Sequence, residues 1–236
     1  MKKTTTILLF IVMLLIQSPM SKADFKIILN FDDGYEGVFT NAFPIMQKYN
    51  IPAVVFVITN QINRDRHLST EQLHILKNAN WEIGSHTICH YDLTKIIPTV
   101  QSHEIKGSRD QLRELGLIDD FYSSFSSPNE RWNPAIERLV SETYQIAREK
   151  QLYIFRDNHL QIEKTIHQVV VKNTNTDHLR LWINEAKTRD IPLVLVLHDV
   201  AEGENVLFYS PDKFEELVRE ISKYDVITFR DFYFSR

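Results

Sequence analysis

Ile27-Ile28-Leu29-Asn30-Phe31-Asp32-Asp33-Gly34-Tyr35 sets an apolar, β-branched run directly before two adjacent carboxylates and a glycine. The run reads as a short buried strand and Asp-Asp-Gly as the turn that ends it. Like charges this close raise one another's pKa, so a site keeps both ionised when a cation takes one of them. An ordinary turn explains the same three residues, and this stretch alone does not separate the two readings.

Working outward, 25–31, 53–58, 82–85, 153–155, 193–197 and 225–228 are candidate strands. Helical spacing marks 39–49, 70–78, 100–115, 134–142, 176–189 and 211–222. Short apolar strands alternating with helices predict an α/β fold with a mostly parallel sheet, compatible with closure into a barrel. Chemistry in such folds sits at the C-terminal ends of the strands.

Two more polar clusters stand where that rule directs. Gly84-Ser85-His86-Thr87-Ile88-Cys89-His90 follows Trp81-Glu82-Ile83. His86 and His90 are four apart, so on a helical turn both imidazoles would project from one face and grip one ion. With one carboxylate they form a facial three-ligand set that leaves positions open for water and substrate. His198-Asp199 ends the run 193–197, where a histidine suits a general acid at neutral pH or, more simply, a strand cap. The remaining histidines, 67, 74, 103, 159, 167 and 178, lie in polar or helical contexts and read as surface.

Composition narrows the class. Lys2 and Lys3 precede the ten-residue apolar run 7–16, and Ser21 and Ala23 give the small residues of a signal-peptidase site. Residues 1–23 therefore read as a secretory signal peptide, with 24–236 as one catalytic domain exported to the periplasm or the cell exterior. The run is too short to span a bilayer, so no stable membrane insertion is expected after cleavage; an uncleaved anchor is the alternative. Losing Lys2, Lys3 and Lys22 takes the formal charge from −4 to −7, with no basic block for nucleic acid or an anionic membrane. Cys89 is the sole cysteine, which excludes an intramolecular disulfide and a thiolate metal cluster. No Gly-x-Ser-x-Gly elbow supports an acyl-enzyme hydrolase.

Phe31-Asp32-Asp33-Gly34, then Ser85-His86-Thr87-x-x-His90 with Asp92-Leu93-Thr94, then Leu197-His198-Asp199, resemble the motifs of the polysaccharide deacetylases. This is the NodB-like group, carbohydrate esterase family four. The likeness extends to Ala42-x-Pro44-Ile45, Tyr49-Asn50-Ile51-Pro52-Ala53 and Glu104-Ile105-Lys106-Gly107-Ser108. The resemblance implies a distorted (β/α) barrel, a divalent ion that is usually zinc, and removal of N-acetyl groups from an N-acetylglucosamine-containing polysaccharide. By position, Asp33, His86 and His90 would hold the ion, Asp32 would be the base and His198 the acid.

One departure stands out. Many members carry in the third motif an Arg that orients the catalytic Asp, and here Ser126 falls at that place. The branch acting on poly-N-acetylglucosamine also commonly lacks that Arg, so the departure fits either that branch or a weakened enzyme. Arg131, in the same loop, is a possible substitute, and Asp157 is the candidate for the fourth motif. Tyr35, Tyr91, Trp132 and Phe208 lie beside the motifs and offer flat faces to pyranose rings, with Asp199 as a further substrate contact; packing explains each equally well. The competing functions are a non-catalytic carbohydrate-binding protein on the same fold, and a deacylase of a small amide or an O-acetyl ester.

Overall fold

The opening apolar run is β1 (Lys26–Phe31), and all but its first residue are buried. β2 and β9 pair with its two edges, and the helix layer and the inside of the curl cover its two faces, which is why the run is apolar throughout rather than alternating. The computed structural model describes residues 25–157 and 159–236, and the expected leader, 1–23, lies outside them.

The chain continues through α1 (Phe43–Tyr49), β2 (Val54–Val57), α2 (Thr70–Asn78), β3 (Glu82–Ser85), α3 (Pro98–Glu114), β4 (Ser124–Ser126) and α4 (Pro134–Ser141). A short antiparallel excursion follows, β5 (Ile146–Arg148), β6 (Leu152–Arg156) and β7 (His159–Glu163). Then come β8 (Ile166–Val169), α5 (Thr176–Arg189), β9 (Leu193–Leu197), β10 (Asp199–Val200), β11 (Phe208–Tyr209), α6 (Pro211–Ile221), β12 (Asp225–Val226) and α7 (Phe229–Phe234). Helix starts follow local chemistry. Ser69 and Gln72 form a capping box on α2, Asn133 caps α4 before Pro134, and Thr228 with Asp231 caps α7.

The main sheet runs β7-β6-β5-β4-β3-β2-β1-β9-β8, with β12 beside the start of β1. Apart from the β5-β6-β7 excursion its pairings are parallel, and it curls into the distorted (β/α) barrel that the sequence predicts. Strands β4, β5, β7 and β8 were not legible. β4 and β5 are three residues each, and β7 is exposed along most of its length.

Alternation along each strand sorts the core into two layers. Ile27, Leu29 and Phe31 join Val55, Val57, Leu193, Leu195 and Leu197 against the helices. Ile28, Val54, Phe56, Ile146, Val194 and Val196 fill the inside of the curl. The same parity turns Asn30 and Asp32 inward above Ile28, and Arg148 inward above Ile146. The barrel interior thus has an apolar floor and a polar mouth at the strands' C-terminal ends. β5 and β8 approach across the open seam: Arg148 donates to His167 at 3.0 Å, and just beyond the strands Thr165 donates to the Lys150 carbonyl at 3.2 Å.

Candidate functional site

Parallel register brings the strand ends level. Phe31 pairs with Val55 and Leu197, Val57 with Ser85, Ser85 with Phe125, and Ser126 with Arg148. The next residues, Asp32, His86 and His198, therefore emerge at one end of the sheet. The Asp32 amide donates to the Leu197 carbonyl at 2.8 Å, which extends the β1–β9 pairing by one residue. Asp33 then takes a left-handed conformation (φ 71), so the two carboxylates diverge around the mouth.

His86 and His90 both reach Asp33. Their Nε2 atoms lie 3.6 and 3.5 Å from Asp33 Oδ1, and one ligand atom from each of the three residues falls within 4.8 Å of the others. His86 Nδ1 faces the Ser126 carbonyl at 2.8 Å, a partner that only accepts, so Nδ1 carries the proton and the Nε2 lone pair is free. The helical turn expected from the four-residue spacing is absent. Residues 86–90 form a loop in which Thr87 (φ 68) and His90 (φ 60) are left-handed, and this irregular path is what turns the two rings together.

The electrostatics suit a cation. Burial foremost, then the neighbouring Asp32 charge, raises the Asp33 carboxyl to about 6. Burial takes His86 down to about 3 and lowers His90, so both imidazoles are neutral donors. Two neutral nitrogens and a carboxylate short of positive charge are a donor set that a divalent ion takes, and the residues fit such an ion.

Asp32 is held differently. Burial is the largest single influence and by itself would raise its carboxyl, but the Arg148 charge, the neighbouring histidines and the Arg148 hydrogen bond together outweigh it and bring the carboxyl to about 2. Arg148 Nη2 donates to Asp32 Oδ2 and to Ser126 Oγ, each at 2.5 Å, and the guanidinium is 1% exposed above the Phe56 ring. Its other amino group lies 3.0 Å from His167 Nε2 and 3.6 Å from Glu130 Oε1. Sequence reading missed Arg148, and it placed His167 on the surface. His167 is nearly buried, and burial with the adjacent Arg148 charge lowers it to about 3. The legible signal was parity: Ile146 and Arg148 face the same way on one short strand. Arg131 does not substitute; it pairs with Asp92 at 2.7 Å.

The remaining candidates divide. His198 follows β9 at the same end of the sheet as Asp32, and its buried Nδ1 has no hydrogen-bond partner among the described residues. Asp157 is not at the site: β6 runs antiparallel, so the turn after it sits at the opposite end of the sheet. Tyr35 stacks on His67 with centroids 5.1 Å apart and meets Phe208 edge-on at 6.4 Å. Tyr91, next to His90, is half exposed. Trp132 packs edge-on against Tyr153 at 4.4 Å, as part of a core cluster with Phe125 and Val140. Asp199 is buried against Gly37, where a Cβ would collide with its carboxylate, and so it is not presented to solvent.

Comparison with known proteins follows the same lines. A family model described as polysaccharide deacetylase matches residues 20–146. A putative polysaccharide deacetylase, YxkH, of Bacillus subtilis is 30% identical over 125 residues, covering 51% of this chain and 43% of its own. The poly-β-1,6-N-acetyl-D-glucosamine N-deacetylase of Staphylococcus epidermidis is 27% identical over 203 residues, covering 84% of this chain and 59% of its own. The chain thus spans about half the length of the curated relatives it matches. Among solved structures, the Xyl-CE4 domain of a multidomain xylanase from the hindgut metagenome of Trinervitermes trinervoides superposes with a TM-score of 0.63 at 15% identity, covering 89% of this chain and 90% of that one. A family 4 acetyl xylan esterase from Clostridium thermocellum gives 0.62 at 16% identity, covering 89% and 91%. At such identities the likeness is one of fold.

Proposed function

This chain belongs to the polysaccharide deacetylase family, and from that premise we propose that it removes N-acetyl groups from an N-acetylglucosamine polymer with the help of a divalent ion, zinc. The observation that carries the proposal is the pairing of two unlike carboxylates at one strand end. Asp33 faces two neutral imidazoles, and Asp32 is tied to a buried arginine.

Asp33, His86 and His90 would hold the ion. When bound, it polarises the acetamide carbonyl and acidifies water. Asp32, kept ionised by Arg148, takes a proton from the attacking water at its carboxylate. Arg148 fixes the direction of that carboxylate and, being buried, excludes bulk water from its far side. As the tetrahedral centre collapses, the C–N bond breaks and His198 delivers a proton to the departing sugar nitrogen. Acetate and a free amine result. The missing third-motif Arg does not argue for a weakened enzyme on this reading, because Arg148 supplies the charge from the neighbouring strand. The relatives named for poly-β-1,6-N-acetylglucosamine support a β-1,6-linked substrate. The basic and apolar leader pattern supports export to the cell envelope. No helix among the described residues is long and apolar enough to cross a membrane.

The test is acetate release from β-1,4- and β-1,6-linked N-acetylglucosamine oligomers by chelated and zinc-reloaded protein. Zinc-dependent release preferring the β-1,6 oligomer is the expected result. Bound zinc without release from either oligomer would move the substrate to another acyl group, and failure to bind zinc would overturn the reading.

A further inference from the structure

The loop that carries His86 and His90 is not held by its own backbone. The Thr87 amide donates to Ser85 Oγ at 3.3 Å, and the His90 amide to Thr87 Oγ1 at 3.0 Å. Between them, the amides of Ile88 and Cys89 converge on one atom, Glu104 Oε2, at 3.0 and 2.7 Å. Glu104 lies on α3, is 2% exposed, and makes no ion pair among the described residues. Its buried carboxylate therefore has the loop amides as its hydrogen-bond partners.

We propose that Glu104 is a positioning residue: its carboxylate clamps the backbone between His86 and His90 and so sets the spacing of the two imidazoles opposite Asp33. The inference rests on reading Asp33, His86 and His90 as the ion's ligands.

The need for a clamp follows from the backbone. Thr87 is β-branched and left-handed, a conformation such residues rarely adopt, and His90 is left-handed as well. Strained residues persist only where surrounding contacts over-determine them. The Thr87 and Ile88 carbonyls are taken by the Thr59 and Asn60 amides, each at 3.1 Å, so the short 3-10 turn after β2 pins one side of the loop. Glu104 pins the other, with charge-assisted hydrogen bonds stronger than neutral ones. Without it, two amides would be buried without partners and the loop would relax toward a conformation in which His90 swings away from Asp33.

The experiment measures the zinc dissociation constant by chelator competition on the purified chain, together with the rise in Tm on adding zinc. Glu104→Asp keeps the charge but shortens the reach, and Glu104→Gln keeps the reach through Oε1. Ile105→Val, on the same helix but packed in the core, reports loss of α3 packing alone. Glu104→Asp should bind zinc at least about tenfold more weakly, the usual scale for residues that orient metal ligands, and its zinc-induced rise in Tm should shrink. Glu104→Gln should recover most of the affinity, and Ile105→Val should stay within about twofold of wild type. Zinc affinity of Glu104→Asp within twofold of wild type would overturn the proposal, as would an equal loss in Ile105→Val. If wild type itself binds no zinc, the ligand reading fails first and this inference falls with it.

Discussion

Ser126 and Arg148 are register partners on β4 and β5, and the guanidinium of one reaches past the hydroxyl of the other to Asp32. Register partners on neighbouring parallel strands turn their side chains to the same face. A charge needed beside Asp32 can therefore come from either strand. The third-motif position holds a serine, and the adjacent strand supplies the arginine.

That relationship predicts the outcome of moving the charge. Arg148→Ser leaves the buried Asp32 carboxylate without its counter-ion, and removing one partner of a buried pair destabilises by about 3–5 kcal/mol. Urea unfolding of the single variant should show a loss of that size, with kcat/KM down by about 100-fold or more as the base loses its orientation. The double variant Ser126→Arg with Arg148→Ser restores an arginine on the same face and should regain at least about tenfold in kcat/KM over the single variant. Equal activity in the single variant and wild type would show that Arg148 does not position Asp32.

The two adjacent carboxylates should separate cleanly by mutation. Asp33→Ala and His86→Ala each remove a donor of the three-residue set, so dialysed protein should retain far less than one equivalent of zinc and show no acetate release. Asp32→Asn removes a proton acceptor and leaves that set intact. Zinc content should stay near wild type while kcat falls by about 10²–10⁴-fold, the usual worth of a general base. If Asp32→Asn keeps kcat within a few-fold of wild type, another group takes the proton.

What could be read in the sequence followed from periodicity and position. The runs at 25–31 and 193–197 are apolar enough to declare buried parallel strands, 82–85 is strand-like only through Trp81 and Ile83, and the polar residues just past each are those gathered at the mouth. Asp32, Asp33, His86, His90 and His198 were legible for that reason. Arg148 was not, because β5 holds only Ile146, Ala147 and Arg148, too short for any period to emerge. His167 was missed alike: β8 reads Ile-His-Gln-Val with no clear alternation, because on its inner face His167 meets Arg148 while Val169 meets the apolar core. Trp132 flanks a motif, where a sugar platform and packing read alike in sequence, and only tertiary structure shows it edge-on against Tyr153 and partly buried on the apolar cluster.

At the other end of the barrel, Glu82 predicts a pH signature in stability. Its carboxyl is buried, accepts from Tyr122 Oη at 2.8 Å and from the Arg230 amide at 2.7 Å, and burial raises its pKa above the ordinary 4.5. A carboxyl with a raised folded-state pKa binds its proton more tightly when folded. Its contribution to stability is therefore full below the unfolded value and declines as pH rises through the folded one. Glu82→Gln removes this slope; its single amide oxygen serves only one of the two donors, which shifts Tm by an offset that does not vary with pH. The Tm difference, Gln variant minus wild type, should grow from pH 4 to pH 8, and a flat difference would show that Glu82 titrates normally.

Tyr91 and Trp132 should part company in the same pair of assays. Tyr91 is half exposed beside His90, and its removal takes little from the core. Tyr91→Ala should leave Tm nearly unchanged and raise KM for an N-acetylglucosamine oligomer by about 3–10-fold, the worth of roughly 1 kcal/mol of aromatic contact. Trp132 stands against Tyr153 and the cluster of Phe125, Ile136 and Val140. Trp132→Ala should lower stability by about 3 kcal/mol, the low end for a large aromatic because the ring is only partly buried. Its effect on KM should be smaller than that of Tyr91→Ala. A KM effect in Trp132→Ala equal to or above that of Tyr91→Ala, in protein of near wild-type Tm, would place the indole on the substrate and not in the core.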